Sequence, residues 1–293
     1  MKKLRSLLST AAIGATLAAA LAGCAGTGMQ APALQPAPPG NVAAGKAEAL
    51  WLGQATMRIT TPGGKVIVID PWISTNPKTP AQFKDLKALG KVDLILVTHA
   101  HYDHFNDAPA LAKMNNAPVY NAGGMGPAIV SLGILPTAQV QRFGKSGTVA
   151  PFGPTGLKIT AVHAEHSSEL VWKNPATDKE ETHFGGVPVG YVIELENGFK
   201  IWHMGDTGLY GDMKLVGETY KPDLVLIPIG GHFTMGPRDA ATAVRDMIKP
   251  RYAIPMHYGT FPLLSGTPAE FTAALGASAT RVLVPEPGQK IDF

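Results

Sequence analysis

The segment Thr98-His-Ala-His-Tyr-Asp-His104 constrains this chain more than any other. It follows the apolar run Val92-Asp-Leu-Ile-Leu-Val97, and a short run of branched apolar residues reads as a buried strand. The cluster therefore lies in the loop beyond a strand's carboxyl end, the edge at which sheet proteins place ligands. Three imidazoles and a carboxylate this close together can hold metal: His99 and His101 point one way toward one ion, while Asp103 and His104 turn back toward a second. The competing reading is a polar loop rich in histidine by chance, but the chain has only nine histidines in 293 residues and three fall within the six positions 99–104.

The amino terminus has a different character. Met1-Lys-Lys-Leu-Arg5 is a positive leader, Leu7 to Leu21 is an apolar stretch of small residues, and Leu21-Ala-Gly-Cys24 is a small-residue cleavage site, so residues 1–23 read as a secretory signal. The chain's single cysteine occupies the last position of that tetrapeptide. The arrangement resembles the bacterial lipobox, which implies lipidation of Cys24, a membrane partner through that lipid, and a place in the bacterial cell envelope. Ala25 lacks the acidic character that retains lipoproteins at the inner membrane, so the outer membrane facing the periplasm is the preferred address. Residues 24–46, with Pro32, Pro36, Pro38 and Pro39, lack periodicity and read as the lipidated cysteine and its tether.

Lys2, Lys3 and Arg5 account for the formal net charge of +3, which leaves the remainder near neutrality. A neutral chain without a basic stripe carries no electrostatic footprint for nucleic acid. At 45% hydrophobic and 16% charged residues, positions 47–293 can bury the core of one α/β domain of about 250 residues. Strands are expected at 49–52, 58–60 and 65–69, broken at Gly53 and at Pro62-Gly-Gly64, and again at 157–162, 189–194, 200–203, 224–227 and 252–254. Helices are expected near 107–114 and 237–248, the latter with Pro237 in its first turn.

Three more polar residues stand directly after apolar runs: His166 in Val162-His-Ala-Glu-His-Ser-Ser168, Asp206 in Gly205-Asp-Thr207, and His257 in Met256-His-Tyr-Gly259. Each alone reads as a core histidine or a turn residue; with the first cluster they point to one sheet edge. In this order the residues resemble the metallo-β-lactamase superfamily, over roughly 47–293. Trp51-Leu-Gly53, Asp70-Pro71, Pro228-Ile-Gly-Gly231, Phe233-Thr-Met-Gly-Pro237 and Ile254-Pro-Met-His-Tyr258 look like its branch of metal-dependent hydrolases near ascorbate-phosphate lactonases, with an N-acylethanolamine phospholipase D type more distant.

The resemblance implies a single-domain αβ/βα four-layer sandwich with two divalent metal ions; imidazoles and carboxylates without thiolate suit zinc, manganese or iron, and loading outside the cytoplasm favours zinc or manganese. His99, His101 and His166 would hold the first ion and Asp103, His104 and His257 the second, with Asp206 between them. His163 competes with His166, which is preferred because Ser-Ser follows it. Many relatives have His at Gln54. Glyoxalase-like, di-iron and cysteine-ligated β-lactamase patterns fit less well, since their distinguishing residues are absent.

Two ions sharing a water favour hydrolysis of an ester, lactone or phosphodiester. Asp103 or Asp206 would take the proton and His232 would protonate the leaving group or bind the oxyanion, with an exposed loop histidine as the plainer reading of His232 and of His183. His203, inside a strand, reads as structural. The substrate is a small or lipid-like molecule. Trp72, Tyr102, Phe105, Trp172, Phe233, Met235, Tyr258 and Phe261 could line an apolar mouth, although ordinary packing is the stronger reading. The alternatives are a non-catalytic metal-binding envelope lipoprotein and a true β-lactamase.

Overall fold

Runs of branched residues between glycine and proline turns form strands, and here they build two sheets. The computed structural model describes residues 45–174 and 176–293. The expected signal peptide, Cys24 and all but the last two residues of the expected tether lie outside the described residues.

Chain order begins with β1 (Glu48–Trp51), β2 (Met57–Thr60), β3 (Val66–Ile69), β4 (Leu94–Val97), β5 (Val119–Ala122) and β6 (Val140–Phe143). Next come β7 (Thr148–Val149), β8 (Lys158–His163), β9 (Glu169–Lys173), β10 (Glu180–Phe184), β11 (Val189–Glu194) and β12 (Lys200–His203). The last strands are β13 (Leu224–Pro228), β14 (Tyr252–Met256), β15 (Arg281–Val282) and β16 (Lys290–Asp292). The helices are α1 (Tyr102–Phe105), α2 (Ala108–Asn115), α3 (Met125–Ser131), α4 (Met213–Tyr220), α5 (Pro237–Thr242) and α6 (Pro268–Leu275). A π-helical turn, Ala243–Ile248, extends α5.

One seven-stranded sheet has the order β16-β1-β2-β3-β4-β5-β6 and the other β15-β14-β13-β12-β11-β8-β7; β9 and β10 form a separate hairpin. Each large sheet is part antiparallel and part parallel, with β3 to β6 parallel in the first and β12 to β15 parallel in the second. Parallel strands end at a common edge, and that edge receives the loops after β3, β4, β12, β13 and β14. The site is built there.

The alternation of side chains along each strand explains the layers. Ile67 and Ile69 of β3, Leu94 and Leu96 of β4, Tyr191 and Ile193 of β11, and Ile254 of β14 face a core between the sheets. Val68, Ile95 and Val97 face outward onto Leu111 and Ile129 of the helices beside them. On the opposite side Trp202, Val225 and Ile227 pack on Met213, Val244 and Phe271. Strands covered on both faces read as unbroken apolar runs. The αβ/βα four-layer sandwich is the architecture the resemblance implied, and the expected strands fall within a residue or two of those observed.

The loops after β13 and β14 can lie together only because Gly230 has no side chain. A Cβ there would overlap the His257 carbonyl oxygen and press on Leu264. Gly230→Ala is therefore expected to destabilise the fold by about 1–3 kcal/mol, the usual cost of overpacking a filled site. Urea unfolding measures this, and an unchanged midpoint would show that the loops part freely.

Candidate metal centre

Each donor of the cluster has its own structural support. His99 lies two residues beyond β4. His101 is the residue before α1, and that single helical turn carries Asp103 and His104 back over the strand end. His166 lies three residues beyond β8, Asp206 follows β12, and His257 follows β14. Gly205, at φ +63° and pressed against Thr98, leaves room for no side chain before Asp206. Gln54, Asp70 and His257 also adopt positive φ, at 51°, 48° and 55°. Such backbone persists in non-glycine residues where the surroundings over-determine it.

These residues form overlapping donor groups, His99/His101/His166, His99/His104/Asp206 and Asp103/His104/His257, with ligand atoms within 4.8 Å of one another in each. Asp206 stands at the centre. Its Oδ1 is 3.3 Å from His104 Nε2, and its Oδ2 is 3.0 Å from His257 Nε2, 3.6 Å from His166 Nε2 and 4.0 Å from His99 Nε2. Asp103 Oδ2 lies 3.4 Å from His257 Nε2 and 3.7 Å from His104 Nε2.

A cation fits this arrangement on a test internal to the structure. His104 Nε2, Asp206 Oδ1 and both ring nitrogens of His257 are buried without a hydrogen-bond partner. Unpartnered buried polar atoms are costly, and His104 Nε2, Asp206 Oδ1 and His257 Nε2 lie in one cluster about the Asp206 carboxylate. The donors are imidazole and carboxylate without thiolate, a set that suits divalent first-row metal ions.

The other nitrogen of several imidazoles is already occupied. His104 Nδ1 is 2.8 Å from Asp70 Oδ2, and His99 Nδ1 is 3.1 Å from Thr98 Oγ1, which donates to Asp70 at 2.7 Å. His101 Nε2 meets Glu169 Oε2 at 2.7 Å, and Ser167 Oγ donates to the same oxygen. Partners of this kind fix the tautomer and the ring orientation of a metal-binding histidine. Gln54 Nε2 donates to Asp103 Oδ2 at 2.8 Å, so this side chain contacts a donor.

Electrostatics divide the imidazoles into two kinds. Burial, reinforced by His104, holds His99 well below the ordinary imidazole value, and burial also lowers His166. Burial opposes charge on His104 too, but Asp206, Asp103 and Asp70 overcome it and hold that ring well above the usual value. His257 behaves alike, raised to about 9 by Asp206 and Asp103 against burial. The carboxylates respond in kind: burial disfavours their charge, yet His104 and its neighbours hold Asp103 down at about 2, and His104 with His257 hold Asp206 well below the carboxylate range.

His163 is not among the convergent donors. Its ring nitrogens meet Lys145 Nζ at 2.8 Å and Glu165 Oε2 at 3.2 Å instead. His232 is exposed, sits edge-on to Phe233 with ring centroids 4.4 Å apart, and is absent from the residues lining the cavity above the donors. His183 lies on β10 with Glu181 at 3.5 Å. His203 is fully buried and its Nε2 binds the Ala55 carbonyl at 2.9 Å, a structural contact. Glu169 was not foreseen as a partner of the site, since it enters from a hairpin 68 residues beyond His101. The only local sign of it is its place directly after His166-Ser-Ser168.

A family model described as the beta-lactamase superfamily domain matches residues 65–258. A Cupriavidus necator protein named as a metal-dependent hydrolase is 70% identical over 294 residues, covering 100% of both chains. A Myxococcus xanthus protein of the same name is 44% identical over 261 residues, 85% of this chain and 88% of that one. Among solved structures, a metallo hydrolase from the hyperthermophilic archaeon Ignicoccus hospitalis aligns with a TM-score of 0.69 at 32% identity, covering 85% of this chain and 98% of that chain.

The raised His257 makes stability of the metal-free protein depend on pH. A ring whose folded value exceeds its ordinary value of about 6.5 contributes fully below that value and loses its contribution as pH rises through the folded value, here about 9. The metal-free protein should therefore melt at a lower temperature at pH 10 than at pH 6.5, and His257→Asn should shrink that drop. Equal drops in both proteins by calorimetry would show that His257 carries no such linkage.

Proposed function

The chain belongs to the metallo-β-lactamase superfamily and is a metal-dependent hydrolase of that fold; from that premise we propose that two divalent ions, zinc or manganese, serve hydrolysis of an ester, lactone or phosphodiester at this cluster. The observation that carries the proposal is the convergence of five imidazoles and two carboxylates, with buried unpartnered atoms among them, beneath an open cavity. His99, His101 and His166 would hold one ion, and Asp103, His104 and His257 the other, with Asp206 shared. When bound, such ions supply Lewis acidity and bring the pKa of water from about 15.7 toward about 7.

The remaining work falls to side chains. Asp103, held by Gln54, and Asp206 are the carboxylates at the cavity floor that can take the proton of the attacking water. Glu169 keeps the His101 ring turned so that its Nδ1 faces His99 at 3.0 Å. His232 is not given the leaving-group proton in this reading, because it stands outside the cavity lining.

Full chain loaded with metal should carry about two ions and lose activity with a chelator. His101→Ala should lower both metal content and kcat/KM, the latter at least about 100-fold, since even outer partners of metal-bound histidines are worth about 10- to 100-fold. Elemental analysis beside turnover of ester, lactone and phosphodiester substrates decides it. Full metal content with no turnover of any of them would favour a non-catalytic metal-binding role.

The same reading puts the domain on the bacterial envelope through Cys24, on the support of Leu21-Ala-Gly-Cys24 alone. Cys24→Ser should move the protein from the membrane fraction to the soluble fraction of cells. Retention on membranes would remove the lipid anchor from the proposal.

A further inference from the structure

The cavity above the donor cluster has a volume of about 980 Å³, at the upper end of the range for small-molecule sites. Its floor is the donor cluster itself. Its walls are apolar and come from four separate elements: Tyr102 on α1, Val171 on β9, Phe233 after β13, and the segment Phe261-Pro-Leu263 after β14.

Eight large hydrophobic side chains are exposed among the described residues, and four of them, Tyr102, Val171, Phe233 and Leu263, stand around this one opening. Concentration of exposed apolar surface in one place marks a binding site. Two wall residues are anchored: Phe261 stacks on the buried Trp72 at 5.5 Å, and Tyr102 meets the same ring edge-on at 5.0 Å. The large side chains near the mouth are of two kinds. The structure divides them, with Trp72, Phe105 and Met235 buried and Tyr102, Phe233 and Phe261 on the cavity.

Charge narrows the occupant further. Among the described residues that line the cavity there is no lysine or arginine. Beyond the donors its charged residues are Glu169 and Glu180, both acidic. Phosphate and carboxylate groups are recognised by arginine, lysine and backbone amides at helix starts. An anionic group extending from the floor would meet carboxylates on a greasy wall.

We infer that the substrate is an uncharged carboxylic ester or lactone bearing an apolar group that fills this cavity. The inference rests on the hydrolase reading and narrows it by removing the phosphodiester. Water adds to the carbonyl carbon and the acyl carbon–oxygen bond breaks. The acyl group leaves as a carboxylate, the released oxygen takes one proton to become an alcohol, and the other proton goes to solvent.

The test compares p-nitrophenyl acetate, butyrate and hexanoate with p-nitrophenyl adipate, whose far end is anionic, and with bis(p-nitrophenyl) phosphate, on the zinc-loaded full chain. Burial of each methylene predicts a rise in kcat/KM of about fourfold. Hexanoate should exceed adipate and the phosphodiester, and Phe233→Ala with Leu263→Ala should flatten the rise with chain length. A flat series, or preference for adipate or the phosphodiester, overturns the inference while leaving the hydrolase reading standing. If none of the compounds turns over, isothermal titration with hexanamide decides the pocket separately from the chemistry. Saturable binding weakened by the double variant upholds an apolar, uncharged ligand, and absence of binding overturns it.

Discussion

The carboxylate of Asp70 is the contact on which the site depends. It is fully buried at the end of β3, and it accepts the Thr98 backbone N–H and the Thr98 hydroxyl at 2.7 Å each, with His104 Nδ1 at 2.8 Å. These bonds fasten the ends of two neighbouring strands, and they also decide which nitrogen of His104 is left to face Asp206. Through the Thr98 hydroxyl they reach His99 Nδ1 and leave its Nε2 toward the cluster. A buried carboxylate with three partners is strongly oriented, so one residue sets which nitrogen of two rings faces the cluster.

The cluster also straddles the two sheets, and its geometry exists only when they are packed. Tyr191 of the second sheet donates its hydroxyl hydrogen to the Val97 carbonyl at 2.7 Å, and the Val189 N–H reaches the Thr98 carbonyl at 3.1 Å. On the other side the His257 N–H donates to the Gln54 carbonyl at 3.0 Å, while the Gln54 side chain holds Asp103. Donors from β4 and α1 thus meet donors from β12 and β14 through bonds that cross the core. The apolar layer between the sheets supplies the association free energy, and these few polar contacts fix its register at the edge where the chemistry lies.

The reach of the sequence follows from the same division. Residues that approach the site along their own strand were legible, because an apolar run followed by His or Asp is a local pattern: His99, His101, Asp103, His104, Asp206 and His257 are all of this kind. His166 and His163 could not be separated by spacing. The structure distinguishes them because His163 is still the last residue of β8, where Lys145 and Glu165 engage it, whereas His166 has left the strand. Glu169 and Val171 come from a hairpin that, among the described residues, pairs only with itself, so no periodicity ties them to the cluster. A cue for α6 was present in Thr267-Pro-Ala-Glu270, where the Thr267 side chain accepts from the Glu270 backbone and Glu270 returns the bond.

Charge balance explains why so polar a cluster is compatible with a tightly packed fold. Asp103 and Asp206 are nearly or fully buried, and two buried carboxylates this close require positive charge between them. In the metal-free protein His104 and His257 supply it as imidazolium, which is the origin of their raised values and of the lowered values of their partners. The proposed ions would take over the same task while using the same nitrogens as lone-pair donors, so a proton and a metal compete for one position. His99 and His166, held low by burial, are already neutral near pH 7 and ready to donate. His99 and His166 are therefore set to accept a cation without releasing protons, and His104 and His257 only by exchanging them, an asymmetry that comes from where the two carboxylates stand.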